Sequence, residues 1–291
     1  MKSQIKIATP SFSVVKSYLP FSLPILPAAL CYWIINLSDR YVIGYFMGAS
    51  AVGIYSASYS LGAVLAFFYA PIPIALFPAI THLYTNNKIF ELKTHLKYSL
   101  RYFLMFAIPA CFGLSILSKS LLIILTTSEF VEGFMIISIV ALATILISCS
   151  GINNMILTLF KKTKKSAAIY GISVAINLIL NIIFVPMFGI IGAAIATLIT
   201  FVIHLIMVSK ISFKLMPYDI DFKFIMKCIV AAGIMAYVVF ILNSYWSANI
   251  ILSIFIAIII YFSILIISGG FTSEEFDFLK SICRSLFRDR A

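Results

Sequence analysis

Two adjacent charged residues, Asp39 and Arg40, lie within a long apolar segment near the start of the chain. A charge within hydrocarbon costs about 2.5–3.5 kcal/mol on insertion scales, so such residues usually face protein or a water-filled cavity. A guanidinium binds phosphate through two parallel hydrogen bonds. The pair therefore indicates one of two things: a site for an anionic group with Arg40 as its contact, or a polar contact that fixes the packing of neighbouring helices.

Uncharged polar residues occur at helical spacing in several other apolar segments. A single such residue commonly forms a hydrogen bond between membrane helices. Together, however, amide and hydroxyl groups on several helices predict a hydrated cavity that suits the hydroxyl groups of a sugar. The predicted cavity residues are Arg40, Asp39, Asn36, Tyr55, Tyr59, Asn154, Asn177 and Asn181.

Catalytic and metal chemistry have little support in the sequence. The three histidines, His82, His95 and His204, are scattered, and the five cysteines are far apart. His204 lies within an apolar segment and could relay a proton, although a hydrogen-bonded packing role is the simpler interpretation. No HxxxH, CxxC, GxSxG or P-loop pattern is present. We therefore expect no enzyme activity, no cofactor and no metal site.

The composition shows which solvent surrounds these residues. The chain has 291 residues, of which 63% are hydrophobic and 11% are charged. Soluble domains have about 45–50% apolar residues, glycine included, and about 25% charged residues. Lipid must therefore surround most of this chain, which excludes water-soluble enzymes and nucleic-acid-binding proteins. The net charge of +11 does not alter this, because the basic residues form short bands between apolar segments.

The apolar residues form eight segments, at about residues 18–47, 51–84, 95–118, 130–160, 166–186, 190–209, 222–243 and 248–268. Each has at least the roughly 20 residues that a helix needs to cross the hydrocarbon core. Basic bands precede the first segment, follow the second, fourth and sixth, and close the chain, whereas the first, fifth and seventh connections carry no Lys or Arg. This alternation predicts an all-α, polytopic membrane helix bundle of about eight transmembrane helices with both termini in the cytoplasm.

Two stretches carry a family resemblance. The sequence SDRYVIGYF at 38–46, with VGIYS at 52–56, resembles the seventh and eighth helices of polysaccharide-exporting flippases of the multidrug/oligosaccharidyl-lipid/polysaccharide superfamily. The sequence NLILN at 177–181, followed by PMFGIIGAAIAT at 186–197, is similar to the eleventh and twelfth helices and the tight outer turn between them. The resemblance extends over nearly the whole chain.

The resemblance implies a transporter in the cell membrane that moves a lipid-linked oligosaccharide, usually on a polyprenyl pyrophosphate, from the cytoplasmic to the outer leaflet. Family members have two six-helix lobes, often followed by two further helices that help to hold the lipid tail. It implies that Arg40 contacts the phosphate or sugar, and that Asp39 tunes Arg40 or takes part in ion coupling. It also implies four parts: a cytoplasmic segment 1–17, a six-helix lobe 18–209, two added helices 210–268, and a cytoplasmic amphipathic tail 269–291.

The eight segments correspond to helices seven to fourteen of the family, so the first lobe is absent from the sequence. We expect a fragment or a separately encoded half that joins a partner chain, while a homodimer is a third interpretation. The expected partners are membrane lipid and the polyprenyl-linked saccharide, with no nucleic acid. Two alternative functions stay open: a drug or metabolite cation antiporter of the same superfamily, and a non-transporting subunit. A membrane glycosyltransferase is disfavoured by the short outer loops.

Overall fold

The computed structural model describes residues 16, 19–246 and 250–271, and all regular structure in this part of the chain is helical. The helices are α1 (Ile25–Met47), α2 (Ala49–Ala63), α3 (Ala66–Tyr69), α4 (Pro71–Thr85), α5 (Ile89–Leu125), α6 (Phe134–Leu159), α7 (Thr163–Leu215), α8 (Phe222–Trp246) and α9 (Ile250–Ile267), with a 3-10 helix at Ser128–Gly133. The predicted amphipathic tail helix lies outside the described residues, as does all of the predicted N-terminal segment except Lys16.

Seven helices in the described part are long and apolar enough to cross a membrane. A helix satisfies its backbone hydrogen bonds internally, which is why such apolar segments become helices in lipid. The predicted all-α membrane bundle is therefore confirmed, and the protein is a multi-pass membrane protein. The count differs from eight because α7, with 53 residues, covers two of the predicted segments.

The chain reverses direction in the middle of α7. Gly189 has φ 62° and ψ −146°, a conformation that glycine adopts readily and other residues avoid. Three residues later, a Cβ atom at Gly192 would overlap the backbone oxygen of Phe184, so the two arms approach too closely for a side chain there. Residues 163–188 and 190–215 thus form two packed arms, which we call the α7 hairpin. They match the fifth and sixth predicted segments, with the turn at the predicted place.

The helices group into two compact units. Unit 1 comprises the described residues of Met1–Val52 and of Cys149–Pro217, and unit 2 those of Gly53–Ser148 and of Tyr218–Ala291. In unit 1, α1 packs along the α7 hairpin, and the end of α6 joins it through a small apolar cluster of Leu157, Ile169 and Val208. Among the described residues, every acidic residue except Asp39 belongs to unit 2.

In unit 2, a buried arginine ties α8 and α9 to α5. Arg101 donates hydrogen bonds to Asp221 Oδ2 at 3.0 Å and to the backbone oxygen of Gly270 at 2.6 Å. Its guanidinium also lies 4.0 Å from the ring centroid of Phe224, a cation–π geometry. One charged side chain therefore joins the start of α8 and the end of α9 to the same turn of α5.

Candidate functional site

Asp39 is fully buried in unit 1, between α1 and the α7 hairpin. Its carboxylate accepts hydrogen bonds from Asn181 Nδ2 at 2.7 Å and from Thr197 Oγ1 at 2.8 Å. These donors come from opposite arms of the hairpin. Asp39 is the only acidic residue in the described part of unit 1, so its carboxylate is a distinctive charge among apolar and basic residues.

Further buried polar side chains extend from Asp39 along the hairpin. Ser38 Oγ donates to Asn177 Oδ1 at 3.0 Å, and Asn181 Nδ2 lies 3.1 Å from the same oxygen. Helical spacing aligns the polar positions on each arm, because residues three or four apart share a face. We call this set the polar seam; its members are Ser38, Asp39, Ser173, Asn177, Asn181, Thr197, Thr200 and His204.

The seam has a defined chemical character. A carboxylate accompanied by amide and hydroxyl oxygens is the type of donor set that hard cations use. The oxygen Oδ1 of Asn181 is buried and has no hydrogen-bond partner, so the set is not fully satisfied by protein groups. No cluster of three or more His, Cys, Asp or Glu that could hold a metal occurs among the described residues. The seam therefore brings a carboxylate together with amide and hydroxyl groups in a buried position.

Arg40 is less buried than the members of this seam. Arg40 is half-exposed, and its Nη1 donates to the backbone oxygen of Asn36 at 2.6 Å. The side chain of Asn36 in turn donates to the backbone oxygen of Tyr32 at 2.7 Å. Adjacent residues of a helix point about 100° apart, so burial of Asp39 leaves Arg40 on a more open side of α1. The two adjacent charged residues therefore differ in their burial.

The other predicted cavity residues are only partly brought together. Asn181 donates to Asp39 and also to the backbone oxygen of Asn177 at 3.0 Å. Asn154 instead accepts a hydrogen bond from Ser166 Oγ at 2.7 Å and links α6 to the start of the hairpin. Two tyrosines, Tyr55 and Tyr59, belong to unit 2, where their ring centroids lie 5.7 Å apart. A shared role of all eight residues in substrate binding stays a prediction.

The predicted cavity residues did not include the threonines of the polar seam. Thr197 donates to Asp39, and Thr200 lies 3.5 Å from Asn177 Nδ2, yet neither was among the predicted cavity residues. A signal was available, because Thr197, Thr200 and His204 recur at helical spacing in the sixth apolar segment. Threonine is common in membrane helices, so this spacing became informative only once the partner arm was known.

Unit 2 contains an apolar cavity of about 440 Å³ between α5, α8 and α9. Its wall includes Phe106, Gly113, Met235, Ile258, Tyr261 and Phe262. The hydroxyl of Tyr261 donates to the backbone oxygen of Met105 at 2.8 Å, so this polar group is already satisfied. The cavity therefore suits a hydrocarbon chain.

Comparison with known proteins places this geometry in context. The family model described as polysaccharide biosynthesis protein matches residues 1–135. The probable low-salt glycan biosynthesis flippase Agl15 of Haloferax volcanii is 26% identical over 257 residues, which cover 88% of this chain and 54% of the relative. The probable flippase AglR of the same organism is 28% identical over 222 residues, which cover 73% of this chain and 47% of the relative. The chain spans about half the length of the curated relatives it matches.

Solved structures share the fold. A structure of the lipid II flippase MurJ in an inward closed conformation aligns with 89% of this chain and 56% of its own, at a TM-score of 0.69 and 20% identity. An outward-facing multidrug resistance MATE family transporter of the MOP superfamily aligns with 79% of this chain and 53% of its own, at a TM-score of 0.56 and 19% identity. The predicted resemblance to polysaccharide-exporting flippases is confirmed, and the MATE likeness is weaker in both coverage and TM-score.

Proposed function

We propose that this chain forms one lobe and the added helix pair of a transporter that moves a lipid-linked oligosaccharide across the cell membrane without covalent chemistry. The observation that carries the proposal is the similarity to a glycan biosynthesis flippase over 88% of the chain, which includes parts of both units. The all-helical fold supports it, since alternating access needs helices that move as packed bodies. A cation antiporter has less support, because the MATE family transporter aligns with less of this chain and at a lower TM-score than the lipid II flippase.

Arg40 is the proposed contact for the pyrophosphate or sugar. A half-exposed guanidinium within a membrane segment combines charge with a rigid set of N–H donors, which matches phosphate oxygens. Asn36 and Asn154 of the same unit are proposed to add hydrogen bonds to sugar hydroxyls, whereas for Tyr55 and Tyr59 of unit 2 this role stays a prediction. None of these contacts requires a bond to be made or broken, in keeping with a transporter rather than an enzyme.

Asp39 is proposed to act in ion coupling. Its two donors belong to the two arms of the α7 hairpin, so a change in the charge at Asp39 alters the contact between α1 and both arms. A cation that neutralises the carboxylate would weaken the hydrogen bonds that Asp39 accepts from Asn181 and Thr197. The polar seam thereby offers a physical link between ion binding and helix packing.

The apolar cavity of unit 2 is proposed to hold part of the lipid tail. Gly113 lines this cavity, and a Cβ atom there would meet nothing within 4 Å, so a side chain can start at this position without a backbone clash. Gly113→Leu is expected to lower translocation about tenfold, because it displaces roughly two methylene groups at ~0.8 kcal/mol each. Transport by the complete transporter measures this effect.

Gly233→Leu is the matched control for this prediction. Gly233 lies on α8, a Cβ atom there also meets nothing within 4 Å, and the residue does not line the cavity. Both variants replace a helical glycine by the same apolar residue, so general effects on the fold cancel. If the two variants lose transport equally, the cavity does not hold the tail.

The missing half of the transporter is part of the proposal. Because the curated relatives are about twice as long, we propose that residues 18–209 form a six-helix lobe opposite a second lobe, with residues 210–268 as the added pair. The second lobe could come from a preceding segment, a partner chain or a second copy. Both chain ends are proposed to lie in the cytoplasm.

Deletion and complementation in the source cell test the proposed function. Deleting the gene is expected to leave lipid-linked oligosaccharide facing the cytoplasm, measured by its protection from an external, membrane-impermeant glycosidase. Rescue by this 291-residue chain alone would identify a homodimer, and rescue only with a longer or second chain would identify a divided transporter. Deletion without any accumulation would overturn the proposal in favour of the antiporter or a non-transporting subunit.

A further inference from the structure

The far end of the polar seam contains a histidine that the proposed transport function does not use. His204 is fully buried on the second arm of the α7 hairpin, and its Nε2 atom has no hydrogen-bond partner. Its ring packs against Tyr170, with the centroids 4.5 Å apart. Buried polar atoms in folded proteins almost always have a partner, so this nitrogen requires a physical explanation.

The contacts of Ser173 define the protonation pattern of the ring. Ser173 Oγ lies 2.9 Å from His204 Nδ1, and it donates its hydroxyl hydrogen to the backbone oxygen of Ile169 at 2.9 Å. A serine has one such hydrogen, so Ser173 accepts from Nδ1–H of the imidazole. The Nε2 atom then carries a lone pair and no hydrogen. This tautomer also has the lower free-energy cost, because a buried acceptor without a hydrogen bond is more common in proteins than a buried N–H donor without one.

Proton uptake would be unfavourable in this arrangement. A proton on Nε2 creates an imidazolium whose second N–H points at no acceptor, in a position closed to solvent. Burying a charge without a hydrogen-bond partner is costly. An arrangement in which Nε2 reaches water removes this cost, so acidification shifts the equilibrium towards that arrangement.

Unit 1 contains a negative charge, that of Asp39, which is opposite in sign to a protonated His204. The packed elements bring Cys31, Tyr32, Asp39 and Arg40 from α1, Cys149 from the end of α6 and Tyr170 from the hairpin itself. Thr197, which donates to Asp39, precedes His204 by two helical turns, about 10 Å along the axis. Asp39 therefore lies further along the same buried seam as His204.

We propose that His204 is a proton-operated switch in unit 1. The residue is neutral, with its hydrogen on Nδ1, in the arrangement described here, and it is protonated on Nε2 in a second arrangement in which the hairpin admits water. Imidazole is the side chain that changes charge near physiological pH, which makes such a switch chemically accessible. In a transporter, a proton bound in one arrangement and released in another couples a pH difference to movement.

Nitrogen NMR of the purified full chain labelled in its histidines tests the first half of the proposal. His82 and His95 are exposed in unit 2 and provide reference signals. At neutral pH we expect one additional histidine in the Nδ1–H tautomer, and its signals should be missing from His204→Gln. A ring of His204 that carries its hydrogen on Nε2 overturns the proposal.

Hydrogen exchange against pH tests the second half. After correction for intrinsic exchange, amides of 169–177 and 197–204 are expected to exchange up to about tenfold faster per unit of acidification, because one proton is taken up per opening. His204→Gln should remove this dependence, and His82→Gln should retain it. Equal pH dependence in wild type and His204→Gln contradicts the switch.

A variant with a single histidine guards against a folding defect in His204→Gln. The double variant H82Q and H95Q leaves His204 as the sole imidazole and supports both measurements without altering the seam. Neither measurement needs a transported substrate, so a negative result would remove the switch and leave the proposed flippase function untouched. Failure of the complementation experiment would leave the switch equally unaffected.

Discussion

Asp39→Ala is expected to lower the free energy of unfolding by about 2 kcal/mol. The substitution leaves the Asn181 amide and the Thr197 hydroxyl without their acceptor in a buried seam, and each unmet donor costs about 1–3 kcal/mol. Relief of the desolvated carboxylate offsets part of this cost. Neutral hydrogen bonds between membrane helices average only about 0.6 kcal/mol, but this acceptor is charged. Denaturant unfolding in detergent micelles, followed by circular dichroism, measures the change.

Two further variants separate charge from hydrogen bonding at this position. Asp39→Asn keeps an acceptor oxygen close to Thr197 and Asn181, so it should lose less than half as much stability. If Asp39 acts in ion coupling, the same variant should lose the ion dependence of transport. Asp219→Ala removes an exposed acid of unit 2 and is the control. Unfolding of Asp39→Ala at the same denaturant concentration as this control would show that the seam does not stabilise unit 1.

Arg40→Ala is expected to reduce translocation by the complete transporter about 10- to 100-fold. Hydrogen bonds from a guanidinium to phosphate contribute about 1.5–3 kcal/mol, and each 1.4 kcal/mol corresponds to a tenfold change. Arg40→Lys keeps the charge and loses the paired N–H donors, so its loss should be smaller. Transfer of lipid-linked oligosaccharide in complemented cells or proteoliposomes measures both variants.

The fold should tolerate these changes at Arg40. The side chain is partly exposed, and substitutions of such residues usually change stability little, so unfolding should shift by less than about 1 kcal/mol. Lys210→Ala removes an exposed cation from the α7 hairpin and controls for net charge. Equal, undiminished transport in Arg40→Ala and Arg40→Lys would remove Arg40 from the substrate site.

The fold class and the places where the chain crosses the membrane could be predicted from the sequence. Lipid offers no hydrogen bonds to the backbone, so a long apolar segment has to form a helix whatever its neighbours are. The turn at Gly189 was predictable for a similarly local reason, because Pro186 and glycine interrupt two apolar segments. The separation of the chain into two contact units was not predicted, since it depends on which helices pack together.

The residues of the candidate site could be predicted from the sequence only in part. The sequence by itself marked Asp39 and Arg40, because charges in an apolar segment are costly wherever they lie. Only the tertiary structure decided that Asp39 is fully buried against the α7 hairpin while Arg40 stays partly exposed. The donors to Asp39 lie 142 and 158 residues further along the chain, and which face of α1 they cover depends on long-range helix packing. No local pattern of residues encodes that choice, because helical spacing defines the faces of a helix but not its neighbour.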